Sequence, residues 1–245
     1  MSSQANRPLR FYGDPPAGWG EGGFPGRLIV FEGPDGAGRS THIRLVKEWL
    51  EDHGLASIDT GLTRSELAGT GLDRAKSGHR LDPVTLNLFY ATDVCDRLER
   101  VIIPSLRAGM VVLADRYICS LMARAGVRGI PREWMEGVFG FAPVPDKTIY
   151  LYVDLEHLLP RILQSGGFDY WESGQDFLKG NDPHAAYLQY QTEILEQFRQ
   201  LAQIHDFAVV DARGPIAQTF EAIKKEVRDA VADIAGATDG QFLEA

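Results

Sequence analysis

The chain has 245 residues, with 24% charged and 10% aromatic side chains, which is ordinary for a globular protein and allows one sizeable α/β domain or two small ones. Its 25 basic and 34 acidic residues give a formal net charge of −9, a sign that repels the phosphate backbone of a nucleic-acid polymer. A local cluster of arginines can still bind a small phosphorylated substrate.

Residues 1–26 differ in composition from the rest of the chain. They are rich in glycine and proline and have no hydrophobic periodicity, so we predict an extension that packs irregularly on a domain. Its aromatic side chains indicate that part of it docks there. The sequence has no internal repeat, and we predict one domain over residues 27–234, followed by a short polar tail over 235–245.

Five short apolar segments are predicted to be strands. They are rich in β-branched residues and nearly continuous in apolar character, as strands buried on both faces of a sheet should be. In chain order they are residues 27–32, 55–60, 110–115, 147–153 and 207–211.

The segments between these strands carry helix signals. Residues 40–53 have an apolar stripe and are followed by Gly54, which is typical of a helix end. Two Asp-Pro pairs, each an N-cap followed by proline at the first helical position, predict long helices over 82–107 and 182–204. The alternation predicts an α/β fold of three layers, with a five-stranded parallel sheet flanked by helices.

The first predicted strand leads into the pattern of a phosphate-binding loop. The segment GPDGAGRS fits G-x-x-x-x-G-K-[ST] except for one arginine in place of lysine. Glycines let the backbone amides turn inward, and the helix N-terminus adds partial positive charge. The strand–loop–helix context favours this interpretation over a glycine-rich turn without a ligand. The predicted nucleotide-binding residues are Gly33, Pro34, Asp35, Gly36, Ala37, Gly38, Arg39, Ser40 and Thr41.

Arg39 leaves two interpretations open. Arginine keeps its charge at any pH, but its planar fork is not interchangeable with the compact ammonium group of lysine. Either Arg39 binds the β- and γ-phosphates bidentately in a slightly wider loop, or the site binds nucleotide and turns over poorly. We favour the first interpretation, because a decayed site would have lost its glycines together with its charge.

Three segments in the right order resemble the thymidylate kinase family of nucleoside monophosphate kinases. Residues 31–41 are similar to the family's phosphate loop, residues 88–120 to its long helix, third strand and Asp-Arg-Tyr motif, and residues 209–220 to its closing strand near the donor adenine. The resemblance covers most of residues 27–228. It implies the P-loop NTPase fold with a short lid over about 161–179, ATP and Mg²⁺ as cofactors, and a homodimer.

The resemblance and the chemistry of the sheet edge together indicate catalytic roles. Asp115 ends a strand at the same edge as the phosphate loop, where it can hold Mg²⁺ together with the Ser40 hydroxyl. Arg116 can neutralise charge on the transferred phosphoryl group, with an Asp N-cap and a surface arginine as the alternative. In the family an acidic loop residue contacts the acceptor sugar and an aromatic ring stacks on its base. This implies those roles for Asp35 and for Tyr90, with a core aromatic as the alternative for the latter.

Several positions of the acceptor wall depart from the family's pattern. The arginine expected four residues after the stacking aromatic is Val94, and Arg97 follows one turn later. Arg124 stands between two alanines where the family has a tyrosine and a glutamine, and Arg64 matches the family only with a slip in register. Such changes affect base selectivity more than phosphoryl transfer. The predicted acceptor-binding residues are Asp35, Arg64, Tyr90, Arg97, Arg116, Ser120 and Arg124.

The predicted lid also departs from the family. Tyr170 replaces an arginine that many relatives use in catalysis, and Arg161 is the basic residue that remains as a candidate nucleotide ligand. Gly166 and Gly167 suit a mobile lid. We therefore hypothesise that Arg39 supplies the positive charge that the lid has lost.

The sequence as a whole predicts a thymidylate kinase-like enzyme that transfers the γ-phosphoryl group of ATP to dTMP. Two alternatives remain: a kinase for another nucleotide or a nucleoside, and a nucleotide-binding protein without catalysis. Cys95 and Cys119 have no metal or redox spacing, no apolar run is long enough to cross a membrane, and no signal peptide is evident. We therefore expect a cytoplasmic protein with reduced thiols and with neither membrane nor nucleic-acid partners.

Overall fold

The computed structural model describes residues 7–77, 81–178 and 182–235. The strands are β1 Arg27–Glu32, β2 Ser57–Gly61, β3 Val111–Asp115, β4 Lys147–Tyr152 and β5 Ala208–Asp211. The helices are α1 Arg39–Asp52, α2 Gly69–Ser77, α3 Pro83–Arg97, α4 Ile103–Arg107, α5 Ile118–Val127, α6 Arg132–Val138, α7 Leu155–Gln164, α8 Pro183–Ile204 and α9 Ile216–Ala235.

The strands form one parallel sheet in the order β2-β3-β1-β4-β5. This confirms the predicted five-stranded parallel sheet, and each predicted strand lies within two residues of the observed one. Asp115 at the end of β3 lies opposite Phe31 of β1 and Gly61 of β2. The carboxyl ends of the three strands therefore share one edge, which is where parallel sheets bind ligands.

The alternation of side chains along each strand divides the core between the two faces of the sheet. Leu28 and Val30 of β1 point to the face covered by α3, α5 and α8, where they join one large apolar cluster. Ile29 and Phe31 point to the opposite face, where they pack with residues of α1 and α9. The result is the predicted three-layer arrangement with helices on both sides of the sheet.

The long helix predicted over 82–107 is present, with an internal irregularity. Helix α3 passes through a π-helical turn, Leu98–Ile102, directly into α4. Pro104 lies in the first turn of α4. A proline cannot donate a backbone hydrogen bond, and its ring crowds the carbonyl group one turn earlier, which a wider turn accommodates.

The described part of the N-terminal extension packs on the domain. Phe11 forms an antiparallel bridge with Pro143, and Phe24 is fully buried.

Cys95 and Cys119 are free thiols. Across the described residues, every helix is too short or too polar to span a bilayer. The predicted tail lies outside the described residues from position 236 onward.

Candidate active site

The segment between β1 and α1 forms a tight loop whose backbone is available to a ligand. Gly33, Gly36 and Gly38 have φ angles of 143°, 80° and 88°, a region that favours glycine. A Cβ atom at Gly33 would lie 2.9 Å from the Leu151 carbonyl oxygen, so only glycine fits there. Gly38 caps α1 without a side-chain hydrogen bond. The first amide groups of α1, through Thr41, therefore face the loop opening without a side-chain cap, as an anion-binding helix terminus requires.

The structure places Arg39 deep in this loop, with its side chain 9% exposed. Nε donates to Asp115 Oδ1 at 2.8 Å, and Nη1 donates to the carbonyl oxygens of Gly33 and Pro34 at 2.7 and 2.5 Å. Nη2 lies 3.4 Å from Asp35 Oδ1. Burial by itself lowers the pKa of Arg39, but the two neighbouring carboxylates leave it raised. The guanidinium is thus bonded to the loop that it is predicted to assist, and phosphate binding by Arg39 stays a prediction.

Asp115 and Ser40 meet at the carboxyl end of β3. The Ser40 hydroxyl donates to Asp115 Oδ2 at 2.9 Å, while Arg39 donates to Oδ1. A hydroxyl group, one carboxylate and the oxygens of a nucleotide's phosphates form the sparse oxygen set that Mg²⁺ accepts. Within the described residues, no group of three or more His, Cys, Asp or Glu side chains could hold a metal by itself. Metal binding by Ser40 and Asp115 stays a prediction.

One arginine from the turn after β3 and one from α5 converge on Asp35 of the loop. Arg116 Nη2 donates to Asp35 Oδ1 at 2.5 Å, and Arg124 Nη2 lies 3.9 Å from Asp35 Oδ2. Glu172, from the segment after α7, contacts Arg124 at 2.5 Å and lies 3.8 Å from Arg116. Two carboxylates and two guanidinium groups thus form one partly buried cluster, which we call the Asp35 cluster.

The electrostatics of the Asp35 cluster hold its acidic loop residue in the charged form. Burial tends to raise the pKa of Asp35, but a hydrogen bond with Glu172 and the charges of Arg124 and Arg39 bring it below its usual value. Burial likewise tends to lower the pKa of Arg124, while Glu172 raises it overall. The cluster therefore holds two guanidinium groups beside the phosphate loop, each paired with a carboxylate.

A small cavity lies next to the Asp35 cluster, between α3, α5 and the segment after α7. Tyr90 lines it and is also buried in the core, and its stacking on an acceptor base stays a prediction. Asn87, also lining the cavity, donates from Nδ2 to the Pro83 carbonyl oxygen at 2.8 Å. Trp171 closes another side. The cavity has aromatic walls and a few polar groups, and its free volume of about 20 Å³ would have to grow to admit a base.

Arg161 of α7 bridges two segments at the donor side. Nη1 donates to the Gly36 carbonyl oxygen at 3.2 Å, and Nη2 donates to the Ala212 carbonyl oxygen at 2.9 Å. It therefore ties the phosphate loop to the turn that follows β5. This turn belongs to the segment that resembles the family's adenine-side motif, and nucleotide binding by Arg161 stays a prediction.

Two of the predicted acceptor residues lie away from the Asp35 cluster. Arg97 is buried and donates to Asp93 Oδ2 at 3.1 Å, and its Nη1 and Nη2 atoms have no hydrogen-bond acceptor among the described residues. Arg64 is half-exposed and pairs with Asp59 at 2.7 Å. That ion pair is the main cause of the lowered pKa of Asp59. Substrate binding by either arginine stays a prediction.

The Ser120 hydroxyl is committed to another protein group. It donates to Oε2 of Glu32, a buried residue at the end of β1. Ser120 still lines the space beside Asp35 and Arg116. Its predicted contact with the acceptor would therefore require the hydroxyl to leave the carboxylate or to accept a further hydrogen bond.

The described part of the predicted lid runs over 161–178, and position 179 lies outside the described residues. After α7 ends at Gln164, the chain makes successive turns, with φ angles of 120° and 90° at Gly166 and Gly167. Tyr170 packs edge-on against Trp171, with ring centres 5.4 Å apart. The segment thus delivers an aromatic residue and, at 172, an acidic residue to the acceptor side.

Sequence reasoning missed three residues of this site. Glu172 joins the Asp35 cluster, Asn87 lines the cavity, and Arg128 anchors the lid segment through Asp176, at 2.7 and 2.9 Å, and through the Trp171 carbonyl oxygen. The available signal was weak. Arg128 lies four residues after Arg124 on or just beyond one helix, a spacing that places both side chains on the same side.

Comparison with known proteins gives a consistent result. The thymidylate kinase family model matches residues 31–223. The chain is 34% identical over 205 residues to the probable thymidylate kinase 2 of Saccharolobus solfataricus, which covers 82% of this chain and 94% of that protein. It is 30% identical to the probable thymidylate kinase of Caldivirga maquilingensis over 82% of this chain and 93% of that protein. With the thymidylate kinase of Akkermansia muciniphila it shares 37% identity over 60% of this chain and 72% of that protein. A chain with this sheet, this loop and these relatives belongs to the thymidylate kinase family of nucleoside monophosphate kinases.

Proposed function

We propose that the protein transfers the γ-phosphoryl group of ATP to dTMP, giving ADP and dTDP. The observation that carries this proposal is the position of Asp35. This residue belongs to the phosphate loop, and its carboxylate bonds Arg116 at 2.5 Å and lies 3.9 Å from Arg124. The donor and acceptor halves of the site therefore meet at one side chain, as transfer between two bound nucleotides requires. The names of the relatives agree with this substrate.

The donor triphosphate would lie against the loop over residues 33–41. The amide groups at the start of α1 would bind its oxygens, and Arg161, which donates to the Gly36 carbonyl oxygen, would contact the nucleotide on its adenine side. Ser40 and Asp115 would hold Mg²⁺, which supplies charge neutralisation between the donor phosphates when bound. The chain's own contribution on this side is to fix the triphosphate by its backbone.

The acceptor would lie in the cavity beside the Asp35 cluster. Its base would contact Tyr90, and Asp35 would accept a hydrogen bond from the sugar. Arg116 and Arg124 would hold its phosphate in line with the donor, because planar guanidinium groups match phosphate oxygens. The chain needs no strong base for this step, since positioning and neutralisation of charge carry most of phosphoryl transfer.

Arg39 is proposed to supply the planar cation that the lid lacks. Tyr170 stands at the lid position where many relatives have arginine, and the guanidinium of Arg39 lies between Asp35 and Asp115. From there it could reach phosphate oxygens by giving up its bonds to the Gly33 and Pro34 carbonyl groups. This exchange of loop contacts for phosphate contacts would occur only with nucleotide bound.

The test is a coupled assay of ADP release with a panel of nucleoside monophosphates, together with direct detection of the diphosphate product. Turnover with dTMP and not with the others supports the proposal. Turnover with a different monophosphate or with a nucleoside would show that this molecule, and not dTMP, is the acceptor. The protein would still be a kinase.

The second candidate is nucleotide binding without turnover. The observation that favours it is the full engagement of Arg39 Nη1 by the loop's own carbonyl groups. Under this alternative ATP binds, as measured by calorimetry, and no acceptor in the panel yields a diphosphate.

We also propose that the protein acts as a cytoplasmic homodimer. Helix α3 exposes Val84, Leu88 and Phe89, and Leu67 is exposed in the segment before α2. Residues four apart on a helix share one side, so Val84 and Leu88 form an apolar surface that suits helix packing against a second copy. Leu88→Glu should convert a dimer to a monomer in light scattering coupled to size-exclusion chromatography. A wild-type monomer would refute this part.

A further inference from the structure

A buried carboxylate at the end of β1 has no part in the reaction described so far. Glu32 is fully buried. Its Oε1 atom accepts hydrogen bonds from the backbone amides of Tyr117 at 3.1 Å and of Ser120 at 3.2 Å. Its Oε2 atom accepts the Ser120 hydroxyl. One side chain from the sheet is thus bonded three times to the start of a helix that lies 85 residues further along the chain.

These bonds replace a helix cap that the sequence of α5 does not provide. Tyr117 is the N-cap residue of α5, and its side chain makes no capping hydrogen bond. Amide groups at a buried helix start need acceptors, because an unpaired buried amide destabilises the fold. In a capping box, two side chains serve the N-cap and N3 amides reciprocally. Here a single carboxylate from another element serves both amides.

The same bonds fix an unusual backbone conformation at Arg116. This residue has a φ angle of 68°, which is uncommon for any residue other than glycine. Its amide donates to the Phe31 carbonyl oxygen at 2.9 Å, and the next amide, of Tyr117, donates to Glu32. The last two residues of β1 therefore hold the turn on both sides. This turn determines the direction in which the Arg116 side chain leaves the backbone, toward Asp35.

Water cannot readily replace Glu32 at this position. Tyr117, Cys119 and Ser120, at the start of α5, are each at most 3% exposed, so the space around Glu32 is closed to solvent. Burial is the first cause of the raised pKa values of Tyr12, Cys119 and Glu32. The amides of Tyr117 and Ser120 would lose their acceptor if the Glu32 side chain were truncated.

We propose that Glu32 is a positioning residue for phosphoryl transfer, acting through the turn that carries Arg116. It binds neither nucleotide; it holds the backbone from which the Arg116 guanidinium reaches the Asp35 cluster. This inference rests on the proposed transfer reaction for its kinetic consequence, whereas the structural part, that Glu32 fixes the turn, stands without it.

The test combines truncation, a conservative variant and a double-mutant cycle. Glu32→Ala removes both acceptor oxygens, and Glu32→Gln keeps one that can serve both amides. Each is made in the wild type and in an Arg116→Ala background. The matched control is Asp146→Ala, because Asp146 accepts the Leu28 amide at 2.7 Å at the opposite end of the same strand.

We expect Glu32→Ala to lower kcat about 50-fold with the KM for ATP within about twofold, because small displacements of a catalytic group can cost about 100-fold. Glu32→Gln should recover kcat to within about fivefold of wild type, since it retains an acceptor. In the Arg116→Ala background, Glu32→Ala should lower kcat less than about threefold, because two residues that act as one unit are not additive. Asp146→Ala should leave kcat unchanged.

An equal loss of kcat from Glu32→Ala in both backgrounds, or no loss in the wild type, would overturn the inference. If Glu32→Ala does not fold, Glu32→Gln in the same cycle decides by the same criterion. Hydrogen exchange of the Tyr117 and Ser120 amides separates this inference from the proposed function. Both should exchange at least about tenfold faster in Glu32→Ala than in Asp146→Ala, and equal rates would refute the role of Glu32 even if the wild type formed no dTDP.

Discussion

The donor half of the candidate site is formed by backbone groups, and the acceptor half is formed by side chains. The donor half uses the backbone of one continuous segment, in which Gly33, Gly36 and Gly38 take φ angles open to glycine. The acceptor half uses side chains from three places in the chain, with Arg116 and Arg124 meeting Asp35 and Glu172. A backbone site requires small residues at fixed spacing, whereas a side-chain site requires only that the fold bring suitable charges together. The first is therefore visible as a pattern in the sequence, whereas the second was predicted mainly through the family resemblance and without Glu172.

Replacement of Arg39 should have the largest effect, because this residue belongs to both halves. Arg39→Lys keeps the charge, but its donors all lie on one nitrogen, which cannot occupy the separate positions of Nε and Nη1 of Arg39. If Arg39 also supplies the missing lid cation, kcat should fall about 1,000-fold, equal to about 4 kcal/mol in transition-state stabilisation. The measurement is steady-state turnover of dTMP at saturating ATP.

Arg44→Lys is the control for this replacement. Arg44 lies on the same helix and is exposed, pairing only with Glu48 among the described contacts, so its kcat should not change. Turnover by Arg39→Lys as fast as the wild type would show that lysine chemistry suffices here. The idea that charge moved from the lid to the loop would then be wrong.

The contrast between the two halves also explains which features of the fold and the site could be predicted from the sequence. The parallel sheet follows from runs of buried β-branched residues, and the phosphate loop follows from a contiguous pattern. Asp115 and Arg116 could be found because they end a recognisable strand. Glu172 could not, because the lid segment has no periodicity and Asp169 and Asp176 are equally acidic neighbours in sequence. Only the fold selects which of the three meets Arg124.

Stability should depend on pH through Glu32, which connects the two halves. Burial raises its pKa from 4.5 to about 7, against the hydrogen bonds from Ser120 that lower it. A raised pKa means that the folded chain retains a proton that the unfolded chain releases. The contribution is therefore fully present below pH 4.5 and is lost as the pH rises through about 7, by about 3 kcal/mol at most.

Urea unfolding at pH 5 and pH 8 measures this dependence. Glu32→Gln cannot titrate, so the wild type should lose more stability than this variant between the two pH values. Parallel losses in the two proteins would mean that Glu32 ionises at its ordinary pKa despite its burial.

Replacement of Glu172 should change the KM for the acceptor, because its carboxylate and the acceptor phosphate would compete for one arginine. Its carboxylate occupies Arg124 at 2.5 Å, and an acceptor phosphate would need the same guanidinium group. Glu172→Gln should therefore lower the KM for dTMP about fivefold and leave the KM for ATP unchanged, because a neutral amide competes less well for arginine. Glu156→Gln, an exposed acidic position on α7, should change neither constant. A higher KM for dTMP would show instead that Glu172 orients Arg124 for the acceptor.

The smallest expected effect is on the free energy of unfolding, at two helices that begin with the same Asp-Pro pair. The two Asp-Pro pairs have nearly the same backbone, with φ and ψ of −68° and 152° at Asp82 and of −66° and 154° at Asp182. Only Asp182 caps its helix through its side chain, accepting the amides of His184 and Ala185 at 2.9 and 3.1 Å. Asp182→Ala should cost about 1 kcal/mol in urea unfolding, and Asp82→Ala less than about half of that. Equal losses would mean that the dipeptide alone sets the cap. A difference would show that the Asp-Pro pair sets the backbone conformation, while the surroundings decide whether the Asp side chain caps the helix. The donor and acceptor halves of the site differ in the same way, because the local sequence sets the backbone loop and the fold brings the side chains together.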